Sequence, residues 1–197
     1  MNPRSRSGLV VLLAAASLGV GCRLQLQRPE TVPARMIEPR LAEPAGAVAD
    51  APNATSVRLL ETQGRSHIGR RVLHQQPDGE VTEDPVWLWT STPDRYLDSA
   101  LRLAIASSPD IRLVDASGAT MLAVTVLAWQ LESGASERLI GAVEVELTRT
   151  DRTIQSEIIR AEEPVGADLP GDLSAAAGRL LERLASDCLA RVTRKGS

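Results

Sequence analysis

Side chains suited to acid–base, nucleophilic or metal chemistry are few in this chain of 197 residues. It has two histidines, His67 and His74, which fall in or near a predicted strand, and no acidic or cysteine cluster accompanies them in the sequence. A catalytic zinc needs three protein ligands, and a histidine base needs a nucleophile within hydrogen-bonding reach. The sequence therefore predicts neither a metal site nor a histidine-based nucleophilic site.

An acidic stretch offers the other candidate for proton transfer. Glu80, Glu83 and Asp84 could act as paired carboxylates, but a solvated turn explains them better. The glycines are isolated, and none stands between a strand and a helix with the spacing of a phosphate-binding loop. These glycines are Gly64, Gly69, Gly134 and Gly141. We therefore expect no cofactor and no catalytic activity.

The N-terminal segment has the pattern of an export signal. Arg4 and Arg6 precede an uninterrupted small and apolar run, Leu9–Val20. As a helix, such a run would span about 18 Å, well short of a hydrocarbon core of about 30 Å. Residues 1–21 are therefore predicted to be a cleaved signal peptide.

Two cysteines are present, Cys22 and Cys188. Leu18-Gly19-Val20-Gly21-Cys22 resembles a lipobox, in which the cysteine thiol receives a lipid such as palmitate, although Leu18 lies one residue before the usual position. The alternative is an ordinary signal peptide that ends beside an incidental cysteine. Cys188 falls in an amphipathic helical pattern and is predicted to be buried and inert.

Residues 22–54 are predicted to form a disordered tether. They are rich in proline and lack helical or strand periodicity, and a flexible chain of that length spans roughly 30 Å. Arg23 follows the cysteine where an Asp would signal retention at the inner membrane, so we expect a lipid-anchored protein at the outer membrane that faces the periplasm. The prolines are Pro29, Pro33, Pro39, Pro44 and Pro52.

Residues 55–193 are predicted to form one α+β domain, a two-layer structure in which two helices pack on a mainly antiparallel sheet. Thr92-Pro93-Asp94 supplies the start of the first helix, and Ser107-Ser108-Pro109 ends it. The last helix is predicted over Ser174–Val192. Strands are predicted over Ser56–Glu61, Arg70–Gln75, Val86–Trp89, Ile111–Val114, Met121–Leu131, Leu139–Leu147 and Gln155–Ala161.

Trp87 and Trp89 are two residues apart and therefore point to the same face of an extended segment. One interpretation places both in the core under the first helix. The other leaves one or both partly exposed as the anchor of a partner interface, where tryptophan is enriched.

The order of these elements resembles the auxiliary lipoproteins of ABC-type transport systems over roughly Thr55–Thr193. The resemblance lies in the signal, Val57-Arg58-Leu59-Leu60, Arg71-Val72-Leu73-His74, a tryptophan before the first helix, a β-meander and an Ala/Leu-rich last helix. It implies a non-catalytic accessory of a lipid-transport system, with mammalian-cell-entry-type or ABC transporter components as partners.

Two other classes stay open: an anchored enzyme, and a structural envelope lipoprotein that binds peptidoglycan or an assembly complex. Homo-oligomerisation is also open, since an exposed sheet edge or an apolar helix stripe wider than one neighbour can cover would suit a ring or dimer.

The net charge of the chain is −3, and without residues 1–21 it has 20 basic against 25 acidic residues. Nucleic acid is therefore disfavoured as a partner.

Overall fold

A computed structural model of the protein describes residues 32–42, 51–134 and 136–194, which fall within one compact unit that begins at Val32. The predicted signal peptide and Cys22 lie outside the described residues. The helices are α1 (Pro93–Ala106) and α2 (Gly171–Thr193). The strands are β1 (Arg35–Ile37), β2 (Thr55–Leu59), β3 (Gln63–Gly64), β4 (Arg71–Gln75), β5 (Val81–Trp89), β6 (Ile111–Leu113), β7 (Thr120–Glu132), β8 (Arg138–Thr148) and β9 (Ile154–Pro164).

The long strand β7 organises the sheet. Along one edge it pairs antiparallel with β8, which in turn pairs antiparallel with β9. Along its other edge it pairs parallel with β2, β3 and β4, each over only a few residues. Beyond these, β6 pairs parallel with β2, β5 pairs antiparallel with β4, and β1 pairs parallel with β5. The antiparallel ladders are the longest, so the predicted α+β fold with a mainly antiparallel sheet and two helices is confirmed.

The first helix forms where the sequence predicts it. Thr92 is the extended N-cap residue and Pro93 follows in the first turn, where its missing N–H costs nothing. The helix ends at Ala106, before the Ser107-Ser108-Pro109 sequence. Its buried side includes Leu97 and Leu101, both part of the hydrophobic core.

The last helix, α2, is buried over a wide arc. Its buried residues include Leu173, Leu180, Leu184, Leu189 and Cys188, the last as predicted. Strands β8 and β9, helix α1 and the segment 38–42 all lie against this helix. The wide apolar arc is therefore covered within the chain and does not call for a second copy.

The segment 35–42 departs from the predicted tether over residues 22–54, because it is part of the folded domain. Its first three residues form β1, and the Ile37 side chain is 2% exposed within the core. The Arg40 N–H donates to the Ser174 carbonyl at 3.1 Å, and the Ser174 hydroxyl donates to the Glu38 carbonyl. The Ala42 N–H donates to a carboxylate oxygen of Glu182 at 2.7 Å. We call residues 35–42 the strap.

Gly178 allows the strap to lie this close to α2. A Cβ atom at this position would overlap the carbonyl oxygen of Arg40. The absence of a side chain on one turn of the helix therefore creates the space in which the strap backbone runs.

Within the described ranges, no helix combines the length and the apolar character required to cross a bilayer.

Candidate partner-binding surface

A bulge in β5 is the most irregular part of the sheet. In the β4–β5 ladder Leu73 lies opposite Glu83, whereas Arg71 lies opposite Leu88, so β5 contains additional residues between these two pairs. Pro85 lies inside this stretch and has no N–H to donate to a ladder. The extra residues turn the chain aside and change the direction in which the following side chains point.

Asp84 holds the bulge in place. Its Oδ1 atom accepts hydrogen bonds from the N–H of Val86 at 2.7 Å and from the N–H of Trp87 at 2.8 Å. Its Oδ2 atom lies 2.9 Å from Nε2 of His74 on β4. One carboxylate thus satisfies two backbone donors that the interrupted ladder leaves free, and it connects the bulge to the neighbouring strand.

The structure corrects two predictions at this point. An acidic residue does accompany a histidine, since Asp84 contacts His74, and Glu83 and Asp84 lie in a strand rather than in a solvated turn. The physical reason is the tight turn at Pro77-Asp78-Gly79, where Gly79 has a positive φ, because it folds β5 back beside β4. Only Glu80 remains in the turn.

The charge of Asp84 is stabilised in the folded protein. Burial by itself would raise the pKa of this carboxyl, but the hydrogen bonds from the Trp87 and Val86 N–H groups, together with His74, lower the pKa below its ordinary value. Asp84 is therefore an ionised acceptor at neutral pH, and it orients the residues around it.

Trp87 follows the bulge and is half-buried at the rim of the core. The guanidinium carbon of Arg35, on β1, lies 5.5 Å from the centre of its ring, within the range of a cation–π contact. Arg71 donates to the Asp84 carbonyl at 3.1 Å and pairs with Glu83 at 3.1 Å. We call Arg35, Arg71, His74, Glu83, Asp84 and Trp87 together the bulge surface.

Trp89 occupies a different environment from Trp87, although both lie on the same side of the strand. Its side chain is 1% exposed and packs edge-to-face against Trp129, with ring centres 6.0 Å apart. The Arg70 side chain donates to its carbonyl at 3.0 Å. The core interpretation therefore holds for Trp89, and of the two tryptophans only Trp87 has a surface that a partner could contact.

The ring of His74 contacts the carboxylate of Asp84 on the neighbouring strand. Among the described residues, no serine, threonine or cysteine side chain forms a hydrogen bond with its ring. His67 lies in an exposed turn between β3 and β4. Nor do the described ranges contain a group of three or more His, Cys, Asp or Glu side chains placed to hold a metal ion.

Cys188 is buried as predicted. Burial, followed by the nearby charge of Asp187, raises the pKa of its thiol to about 12. A thiol with this pKa carries almost no thiolate at neutral pH and is a poor nucleophile.

Sequence reasoning identified Trp87 but missed Arg35 and the His74–Asp84 pair. Arg35 was assigned to the tether, and its contact with Trp87 depends on the parallel pairing of β1 with β5. The strand predicted over Arg70–Gln75 placed His74 in the sheet rather than in a loop, but it gave no sign of the contact with Asp84.

No protein-family model matches the chain, and no curated protein matches it by sequence. Solved structures do match its fold. Protein XCC0632 from Xanthomonas campestris, of the family-model DUF330, has a TM-score of 0.64 at 16% identity and covers 79% of this chain and 92% of its own. An uncharacterized protein has a TM-score of 0.62 at 13% identity, covering 82% of this chain and 99% of its own. The hypothetical protein CT253 from Chlamydia trachomatis has a TM-score of 0.52 at 13% identity, covering 71% and 95%. At these identities the likeness shows a shared fold.

Proposed function

We propose that this chain is a non-catalytic envelope lipoprotein, anchored by a lipid on Cys22, that serves as an accessory of an ABC-type system for lipids or other apolar molecules. Its domain binds a periplasmic component of that system, of the mammalian-cell-entry type or a permease subunit, through the bulge surface. It faces the periplasm from the outer membrane.

The main support for a binding role is the position of the Trp87 side chain, which is held at the edge of the core with part of its ring accessible to a partner. The ring lies at the rim of the core with Arg35 against it, and Asp84 accepts hydrogen bonds from the N–H groups of Trp87 and of its neighbour Val86. Tryptophan and arginine are among the residues most enriched in binding hot spots, and a preorganised side chain loses little entropy on binding. On the edge of β5 that faces away from β4, the residues before Trp87 have no strand partner among the described residues, because β1 pairs only with the last three residues of β5.

The anchoring role is supported by the sequence. The basic residues, the apolar run and the small residues before Cys22 form the pattern of a lipoprotein signal. A lipid anchor and a non-catalytic docking domain are together what the resemblance to transport auxiliary lipoproteins implies.

The test is a mild cross-link and affinity purification of the tagged protein from native membranes, with mass spectrometry of the partners and of the N-terminal peptide. We expect an acylated Cys22 and recovery of a mammalian-cell-entry-type or permease protein. The Trp87→Ala variant should lose most of that recovery. Val81→Ala is the matched control, since it removes an exposed apolar side chain from the other end of the same strand.

The outcomes separate the two parts of the proposal. An unmodified Cys22 would overturn the anchor. Recovery of cell-wall material or of an assembly complex without a transporter component would overturn the transport role. Equal recovery by the Trp87→Ala and Val81→Ala variants would overturn the assignment of the bulge surface.

A further inference from the structure

The strap brings the start of the folded domain beside a surface groove whose lining is both polar and apolar. The groove, of about 420 Å³, lies between the strap and the start of α2. Strap residues 36–40, which include Glu38 and Arg40 besides Met36, line one side, and Pro170, Gly171 and Ser174 line the other. Leu169 directly precedes this lining.

Exposed apolar side chains lie in the groove lining or near it in the sequence: Met36 is part of the lining, Leu169 directly precedes Pro170, and Val32 lies four residues before Met36. Val32 is 61% exposed, Met36 53% and Leu169 38%, and these are three of the seven large hydrophobic residues exposed in the described ranges. The other four lie elsewhere in the chain, on β5, β6 and β9. We call Val32, Met36, Leu169 and the groove the strap face.

The length of chain between Cys22 and Val32 limits how far the strap face can lie from a bilayer that holds a lipid on Cys22. Val32 lies ten positions after Cys22, and a fully extended chain of that length reaches about 35 Å. A flexible chain of that length spans about 17 Å on average. A globular domain of this size is roughly 40 Å across, so a lipid on Cys22 holds the strap face nearer to the bilayer than the side of the domain farthest from Val32.

We propose that the strap face is the membrane-facing side of the domain and that the phospholipid headgroup layer covers Val32, Met36 and Leu169. This inference rests on the proposed anchor at Cys22. Three apolar side chains are too few to hold a domain on a bilayer without help, but an anchor that keeps them at high local concentration makes the contact favourable. The contact therefore depends on anchoring, and it fixes which side of the domain is turned toward the periplasm.

The two methionines of the mature chain, Met36 and Met121, allow a test without engineered probes. Peroxide converts an accessible methionine to its sulfoxide, and mass spectrometry gives both oxidation rates from one sample. Met121 lies on β7, within the sheet and away from the strap, and provides the internal control.

The mature chain from Cys22 onward is coupled through the Cys22 thiol to a maleimide lipid in vesicles of phosphatidylethanolamine and phosphatidylglycerol. Cys188 is buried and its thiol pKa is raised, so it should not compete for the maleimide.

Coupling should slow the oxidation of Met36 several-fold and leave the rate at Met121 unchanged. The same chain mixed with vesicles but not coupled should show no protection. An unchanged rate at Met36 in the coupled protein would overturn the inference, and so would equal protection of both methionines. Protection of Met36 in the free protein that grows with its concentration would also overturn it, because a second copy would then cover the face.

This measurement is independent of natural lipidation, since the anchor is attached chemically. If Cys22 proves unmodified in cells while the coupled protein shows Met36 protection, the proposed function fails. The ability of the strap face to contact a bilayer when the chain is tethered at Cys22 would then still stand. If Cys22 is acylated and Met36 stays accessible, only the orientation fails.

Discussion

Asp84 is the residue on which the bulge depends most directly. In an Asp84→Ala variant the N–H groups of Val86 and Trp87 and the ring of His74 lose their acceptor. We expect the free energy of unfolding to fall by about 1–3 kcal/mol, the usual cost of leaving partly buried donors unpaired. Urea unfolding measures this. Glu83→Ala is the control, because Glu83 forms only an exposed pair with Arg71 and should cost less than about 1 kcal/mol.

The pKa of Asp84 also predicts a dependence on pH. Because this pKa is lower in the folded protein than in the unfolded chain, where it is about 3.9, the folded state binds the proton more weakly. Ionised Asp84 therefore stabilises the fold above the unfolded pKa, and this contribution is lost as the pH falls through the folded pKa. The stability advantage of the wild type over Asp84→Asn should therefore shrink as the pH falls below about 4. An advantage that persists undiminished into acid would contradict this role.

Cys188 should be unreactive in the native protein. With a thiol pKa of about 12 and no exposed surface, it should resist alkylation by iodoacetamide at neutral pH and react readily in urea. Mass spectrometry of the C-terminal peptide gives both rates. Fast labelling of the native chain would mean that α2 opens far more often than its burial indicates.

At the residue scale, the sequence predicts the side of an element on which a single side chain lies better than it predicts which two side chains are in contact. Trp87, Trp89 and Cys188 could be assigned a side of an element because periodicity alone determines it. The contact between His74 and Asp84 requires the register of the β4–β5 hairpin, including the bulge after Glu83, and no local pattern encodes that register.

At the scale of elements, the fit between the strap and α2 depends on Gly178. Gly178→Ala should displace the strap, because a methyl group there overlaps the carbonyl oxygen of Arg40. We expect faster hydrogen exchange in residues 35–42 and a loss of about 1–3 kcal/mol in the free energy of unfolding. Gly69→Ala provides the control, since a Cβ atom at that position would meet nothing within 4 Å. Equal exchange in the two variants would show that the strap is not held at Gly178.

Both helices and most strands could be predicted, including the short strands β2, β4 and β6, but β1 and β3 could not. Strand β7 and both helices bury a regular stripe over many residues, so their sequences identify them. Strands β1 and β3 have three and two residues, too few for a period to appear. They form because β5 and β7 provide parallel strands with which they pair. The sequence that determines β1 and β3 therefore lies partly outside their own residues.

At the scale of the whole molecule, the boundary of the stable domain should lie at the strap. Removing the chain up to Thr31 should leave the melting temperature unchanged. Removing it through Ala42 should lower the free energy of unfolding by about 2–4 kcal/mol, because buried Ile37 and the hydrogen bonds to Ser174 are lost. Thermal unfolding of the two truncated chains compares them directly. Equal stability would restore the originally predicted boundary near residue 55.

The strap also sets the order in which the molecule can assemble. Its hydrogen bonds join Glu38 to Ser174 and Ala42 to Glu182, pairs that are 136 and 140 positions apart in the sequence. Contacts of such sequence separation form late, because a very long loop must close first. During synthesis the chain therefore cannot complete this domain until its last helix has been made. The proposed export as an extended chain would benefit from this delay, because the polypeptide stays threadable until export is nearly finished and the closing contact then forms on the far side.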